Sequence, residues 1–185
     1  MSITQAVPLT LRPGVWRLDA AHSMVGFSIR HLGIAKVRGR FSRFDTELVV
    51  GGTLQDSVLT AAVELASFDT GNIDRDDHVR SSDLLDVERR PSMTFRSTGI
   101  NGGDAGWRVD GDLTIGDITR PFSLDVEFGG LESFVDGTRH AGFEAKGELR
   151  RTEFGIDLPG GIGGALLGDV VRVELDVQLI EPLPS

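Results

Sequence analysis

The side chains that could do chemistry gather in four places along the 185 residues. Asp19, His22 and Ser23 supply the residue types of a Ser–His–Asp triad. No Gly-x-Ser-x-Gly elbow accompanies them, and groups this close in one chain rarely reach triad geometry. Their expected use is to stabilise a turn through side-chain to backbone hydrogen bonds. Asp74, Asp76, Asp77 and His78 offer oxygen and imidazole donors to a metal. An EF-hand would need Gly and Glu where Val79 and Leu85 stand, and there is no His-Glu-x-x-His. No metal is therefore expected, and these charges are read as a solvated helix face. His31 ends a run of alternating apolar residues. That position suits a hydrogen bond to a ligand head, or equally a core imidazole satisfied by backbone groups. The glycine-rich stretch 159–168 lacks the Gly-Lys-Ser/Thr of a phosphate cradle. Its Ile162, Leu166 and Leu167 make it apolar, either a flap over an opening or a long connection folded onto the core. Without cysteine there is no thiolate nucleophile, disulfide or Cys-ligated metal. No catalytic residue and no cofactor are expected.

The elements that must hold these residues are mostly strands. Only the stretch from Asn72 to Asp86 reads as helical. Asn72 is a good N-cap, Asp74 and Asp76 sit where a helix N-terminus favours negative charge, and Asp76 precedes Arg80 by one turn. Ile73, Val79, Leu84 and Leu85 are its apolar anchors, so a short helix is expected to lie over one end or edge of a sheet. Elsewhere the period is two. Val25, Phe27, Ile29 and His31 share a face. Val37, Gly39 and Phe41 share the next, with Lys36, Arg38 and Arg40 opposite. Thr46–Val50 is a third strand, and Leu59, Ala61, Val63 and Leu65 mark a fourth. After the helix come Met93–Ser97, Trp107–Ile115, Phe122–Phe128, Ala141–Leu149 and Val171–Leu179, separated by Gly-rich turn signals. About eight alternating strands with one helix imply an all-β antiparallel barrel or a sandwich. The barrel is preferred, because Gly39, Ala61, Gly111, Ala141, Ala145 and Gly147 recur on inward faces and leave room for one small ligand. The competing reading is that they relieve crowding where the sheet bends.

Composition narrows the function classes. A net charge of -9 argues against wrapping nucleic acid and against general adhesion to anionic membranes, though not against a local contact. No apolar run approaches the ~18 residues of a membrane span. The start, Met1 to Pro8, lacks the basic and apolar regions of a secretory signal, so a cytoplasmic location is expected. Residues 1–13 read as a flexible arm, and 14–181 as one domain.

Taken in order, several motifs add up. Asp19-x-x-His22-Ser23, Phe27-x-x-x-His31 and Gly39-x-Phe41 resemble the opening of the YceI-like family. Thr70-Gly71-Asn72-x-x-Arg75-Asp76-x-His78 with Ser82-Asp83 is similar to its central signature. Pro91-x-Met93-x-Phe95, Gly111-x-Leu113-Thr114-Ile115, Arg151-x-x-Phe154-Gly155 and Gly168-Asp169-x-Val171 continue the likeness. The resemblance implies a lipocalin-like barrel that binds, transports or stores long apolar ligands, notably polyisoprenoids such as isoprenyl diphosphates or isoprenoid quinones, with no established catalysis. Two departures bear on ligand shape: Leu84-Leu85 stands where the family usually has aromatics, and there is no Tyr. The inward faces offer a tail pocket of Val25, Phe27, Ile29, Val37, Phe41, Leu65 and Met93 on one side. Phe95, Trp107, Val109, Leu113, Phe122, Leu124 and Phe143 complete it. His31, Arg75 and His78 are the candidates for a head group. A filled structural or partner-binding barrel is the main alternative, and an enzyme using His31 or His78 on such a lipid is a further one. The sequence leaves a homodimer open.

Overall fold

Alternation of apolar and polar residues makes strands of most of the chain, and their ladders join into a ring. A computed structural model describes residues 11–103, 106–161 and 163–184. Its strands are β1 (Gly14–Leu18), β2 (Met24–His31), β3 (Ala35–Phe41), β4 (Phe44–Val50), β5 (Val58–Glu64) and β6 (Phe68–Asp69). Helix α1 (Ile73–Arg80) follows, then β7 (Ser92–Gly103), β8 (Gly106–Ile115), β9 (Ile118–Ser133) and β10 (Arg139–Arg150). The one-turn α2 (Gly163–Leu166) leads into β11 (Leu167–Ile180). All pairings are antiparallel, in the order β1-β4-β5-β7-β8-β9-β10-β11, and β11 returns to β1. The ring is thus a closed eight-stranded barrel, and closure removes the free edges of the ring itself.

The remaining strands extend three of its staves. β2 continues β1 along β11, β3 precedes β4, and β6 prolongs β5. The first three staves are therefore bent, with corners at 19–23, 42–43 and 65–67. The Asp19–His22–Ser23 group builds the first corner. Asp19 Oδ1 accepts the Ala21 N–H at 3.2 Å, and His22 Nδ1 lies 2.8 Å from Asp19 Oδ2. Ser23 Oγ donates to the Asp19 carbonyl at 2.7 Å and accepts the Gln178 N–H at 2.9 Å, which ties the corner to β11. At the other two corners the buried Ser67 hydroxyl accepts the Arg43 N–H at 3.0 Å and donates to the Glu64 carbonyl at 2.7 Å.

One barrel end carries the β2–β3 turn, α1 and the 151–166 connection. Asn72 caps α1 as expected, its side chain accepting the Arg75 N–H at 2.9 Å. The expected Asp76–Arg80 pair does not form. Asp76 is only 5 % exposed and accepts the Thr70 N–H at 3.1 Å and the Thr70 hydroxyl. Arg80 instead meets Asp77 at 3.1 Å and donates to the carbonyls of Ala66 and Phe68. A buried carboxylate takes the nearest donors, and a guanidinium fork suits converging carbonyls. Ile73, expected as an anchor, is 78 % exposed, while Leu84 and Leu85 are buried. Arg151, 3 % exposed, fastens the long connection through the carbonyls of Ile156, Leu167 and Gly168 and through Asp157. At the opposite end Trp16 is fully buried, with Nε1 donating to the Arg12 carbonyl at 2.9 Å. Residues 1–10 of the expected arm lie outside the described residues, and Leu11 is buried against the interior.

Candidate functional site: an apolar cavity inside the barrel

Inward residues from the ring surround a cavity of about 150 Å³. Its wall includes Leu48 and Val50 on β4, Ala61 and Val63 on β5, Phe95 and Ile100 on β7, and Trp107 and Val109 on β8. Phe122 and Val126 on β9, Phe143 and Ala145 on β10, and Val173, Leu175, Val177 and Leu179 on β11 complete the ring, with Leu11 and Leu54 toward the Trp16 end. The few polar wall residues are spent or face out. Thr46 Oγ1 donates to the Thr60 carbonyl at 2.8 Å. Ser57 Oγ donates to the Thr53 carbonyl at 2.9 Å and accepts the Gly51 N–H at 3.0 Å. Asp45 and Thr94 are exposed. Such an interior makes no polar demand on an occupant and rewards apolar area alone.

The inward glycines do not leave the space that the sequence implied. A Cβ on Gly39 would lie 2.4 Å from the Phe27 ring, one on Gly111 2.5 Å from the Phe95 ring, and one on Gly147 2.7 Å from the Phe122 ring. Each glycine is the floor on which a phenylalanine of a neighbouring strand lies flat. The rings fill the room that the missing side chains vacate, so the cavity stays small.

Of the residues expected to hold an apolar tail, Val25, Met93, Phe95, Trp107, Val109, Leu113, Phe122, Leu124 and Phe143 line this cavity. Phe27, Ile29, Val37, Phe41 and Leu65 stand outside its wall. Phe27, Phe41 and Phe68 pack as one cluster, with ring centroids 5.1 to 5.8 Å apart. Leu65 is buried, and Ile29 and Val37 face each other half-buried at the helix end. The head-group candidates do not meet the cavity either. His31 is exposed at the end of β2, Arg75 is bound to the Thr70 hydroxyl at 2.8 Å, and His78 lies 3.2 Å from Asp83. Of the flap residues, Leu166 is exposed, Leu167 pairs with His31 in the ladder, and Ile162 lies outside the described residues. Among the described residues no group of three or more His, Asp or Glu is arranged to hold a metal, and no helix is long and apolar enough to cross a membrane.

Two wall residues were hidden by local irregularities. A bulge between Ser97 and Gly99 shifts the alternation of β7, so Ile100 faces in although Met93 and Phe95 predict the opposite parity. Leu11 precedes the first strand and carries no periodic signal. Around the first corner, burial raises the Asp19 carboxyl. The His22 hydrogen bond and charge, the His140 charge and the Ala21 N–H outweigh burial and hold it below the usual carboxylate range.

A closed up-and-down barrel around an apolar interior defines the lipocalin-like class. Residues 16–179 match the YceI-like domain, and the chain belongs to that family. A UPF0312 protein of Staphylococcus epidermidis is 35% identical over 169 residues, covering 88% of this chain and 95% of its own. The crystal structure of Burkholderia cenocepacia BcnA superposes with a TM-score of 0.76 at 21% identity, covering 89% of this chain and 99% of that one. A polyisoprenoid binding domain from Saccharophagus degradans, implicated in plant cell wall breakdown, gives a TM-score of 0.66 at 16% identity over 90% of this chain and 98% of that one. At these identities the two structures speak for the fold alone.

Proposed function

We propose that this protein binds a long-chain apolar lipid of the polyisoprenoid kind inside the barrel and carries or stores it without chemical change. The observation that carries this reading is the predominantly apolar wall of the cavity, whose few polar residues are bonded elsewhere or face out. No Lys, Arg or His among the described residues lines it, which favours a neutral head, such as a quinone or an amide, over a diphosphate. The described wall residues offer no acid–base pair, which suits a binding rather than a catalytic role. The polyisoprenoid binding named for the Saccharophagus domain agrees in ligand class.

Volume sets the condition. An apolar cavity of about 150 Å³ is the size that takes a benzene ring, whereas pockets for drug-sized ligands span roughly 300–1,000 Å³. A long tail therefore enters only when interior side chains move. Phe95 and Phe122, which meet edge to face at 5.9 Å, are the rings to do so, because each lies on a glycine and swings off it without unpairing a strand. Burial of the tail then contributes about 25 cal/mol per Å² of apolar area. The small volume is also the observation that favours the second reading, a filled barrel that serves a structural or partner-binding role.

Native mass spectrometry of the purified protein, followed by organic extraction, separates the two. A discrete adduct with an isoprenoid mass is expected. A clean ligand-free mass, unchanged after incubation with prenyl diphosphates and with quinones, would leave the filled barrel.

A further inference from the structure

We propose that the β2–β3 hairpin docks the barrel on a lipid bilayer that carries anionic headgroups. The proposal starts from charge. In the β2–β3 ladder Arg30 stands opposite Lys36, Ser28 opposite Arg38, and Gly26 opposite Arg40. Period two puts these residues on the outer face, because Val25, Phe27, Ile29 and Val37 take the inner one. Arg40 is engaged by Asp69 at 3.4 Å. Arg30, Lys36 and Arg38 are exposed and belong to no ion pair among the described residues. Arg75, Arg89, Arg96, Arg120 and Lys146 share that condition but lie on five separate segments. Among the described residues only this hairpin gathers three unpaired cations, in a chain whose net charge is -9. Like charges directly across a ladder destabilise the pair, so the Arg30–Lys36 juxtaposition is not explained by folding.

The tip of the same hairpin is a second, independent irregularity. The Ile34 N–H donates to the His31 carbonyl at 3.2 Å, and Leu32 and Gly33 between them have φ of 51° and 70°. Two left-handed central positions are ordinarily filled by Asn-Gly, and a leucine there is strained. Yet Leu32 is 48 % exposed and Ile34 81 % exposed, so neither is placed there by the core. The Leu32 N–H donates to the Leu166 carbonyl at 2.9 Å, which brings a third exposed apolar side chain to the same corner.

Apolar side chains at a projecting tip with cations directly behind them match a bilayer interface. The tip enters the boundary between headgroups and acyl chains, while the cations meet the anionic headgroups. The acidic remainder of the chain is screened beyond about 8–10 Å at physiological salt. Nucleic acid would satisfy the cations but would leave Leu32 and Ile34 without a partner, and the net charge opposes it. The inference rests on the outer surface and does not require that the cavity hold lipid.

Cosedimentation of the full chain with vesicles tests it, comparing phosphatidylcholine alone with phosphatidylcholine–phosphatidylglycerol at three to one. Binding to the anionic vesicles is expected, with loss on raising the salt. The variant R30Q/K36Q/R38Q is expected to bind about 100-fold more weakly, at roughly five-fold per cation. Leu32→Asn is expected to fold at least as stably, since Asn tolerates the left-handed position, and yet to bind more weakly. Equal binding to neutral vesicles, an unaffected triple variant, or tighter binding to duplex DNA than to anionic vesicles would each overturn the proposal. Lipid extracted from the same preparations is read separately. A protein that docks but carries no lipid keeps this proposal and loses the lipid reading, and a protein that carries lipid but does not dock keeps the lipid reading and loses this proposal.

Discussion

Replacing Arg151 by Met should unfasten the connection between β10 and β11 at a measurable cost. The guanidinium donates to the Ile156 carbonyl at 2.8 Å, to the Gly168 and Leu167 carbonyls at 3.0 Å, and to Asp157 Oδ1 at 2.8 Å. Methionine keeps the packing of the stem and removes every donor. Hydrogen bonds to a charged group are worth about 1.5–3 kcal/mol each, so three carbonyl bonds bound the loss at roughly 5–9 kcal/mol. The actual loss is smaller, because the half-exposed Asp157 regains water and the buried charge no longer has to be desolvated. The expected value is about 3 kcal/mol, which for a chain of this length lowers Tm by roughly 6–12 °C. Thermal unfolding followed by circular dichroism reads the total. Amide hydrogen exchange over residues 156–169 reads the place, since the loosening should begin there before the barrel opens. Arg151→Lys should lose about half as much, because a single ammonium cannot span four acceptors. The Asp157 carboxyl, held below the usual range chiefly by its hydrogen bond to Arg151, should titrate closer to an ordinary aspartate in the Met variant. A Met variant within about 0.5 kcal/mol of the parent, with unchanged exchange, would refute the assignment of Arg151 as the fastening.

Three further outcomes follow from the interior and the first corner. Phe95→Ala or Phe122→Ala should cost about 3–5 kcal/mol in denaturant unfolding and enlarge the cavity, so that a folded variant takes up more of an apolar fluorescent probe than the parent. Gly147→Ala should cost about 1–3 kcal/mol, since its Cβ would meet the Phe122 ring at 2.7 Å and the Ser123 carbonyl at 2.8 Å; a neutral result in the same assay would count against the ring-on-glycine packing. Asp19→Asn should destabilise at neutral pH. The folded Asp19 carboxyl is depressed, so its contribution is complete above the unfolded value of about 3.9 and is lost as pH falls through the folded value. Urea unfolding of parent and variant at pH 7 and at pH 3 should therefore show the gap narrowing in acid.

The strands were legible because period two is a direct consequence of the pleat, and runs such as Phe122–Phe128 and Val171–Leu179 satisfy it without interruption. The corners were not legible as corners. Asp19, His22 and Ser23 announce a turn, but not that the strand resumes beyond it along the same neighbour. The central signature holds its own turn: Asp76 accepts the Thr70 N–H and Asn72 caps the start of α1. The cavity wall was half readable. Alternation names the inward residues of the long strands, but it fails at the β7 bulge and before β1, which is why Ile100 and Leu11 escaped. The glycine floors escaped for another reason. A missing side chain reads as space, and only the three-dimensional packing tells that a ring from the next strand has taken it.

The seam of the barrel has a consequence for its synthesis. β11 meets β1 at only two register pairs, Arg17–Ile180 and Leu18–Leu179, and completes its grip through β2. The ring therefore closes between the first strands made and the last, and on a ribosome the apolar interior stays open until β11 has emerged. Closure is a late event between distant parts of the sequence, of the kind that makes folding slow and leaves apolar surface exposed in the meantime. Until then the residues that will line the cavity face solvent, and the finished ring encloses them in one step.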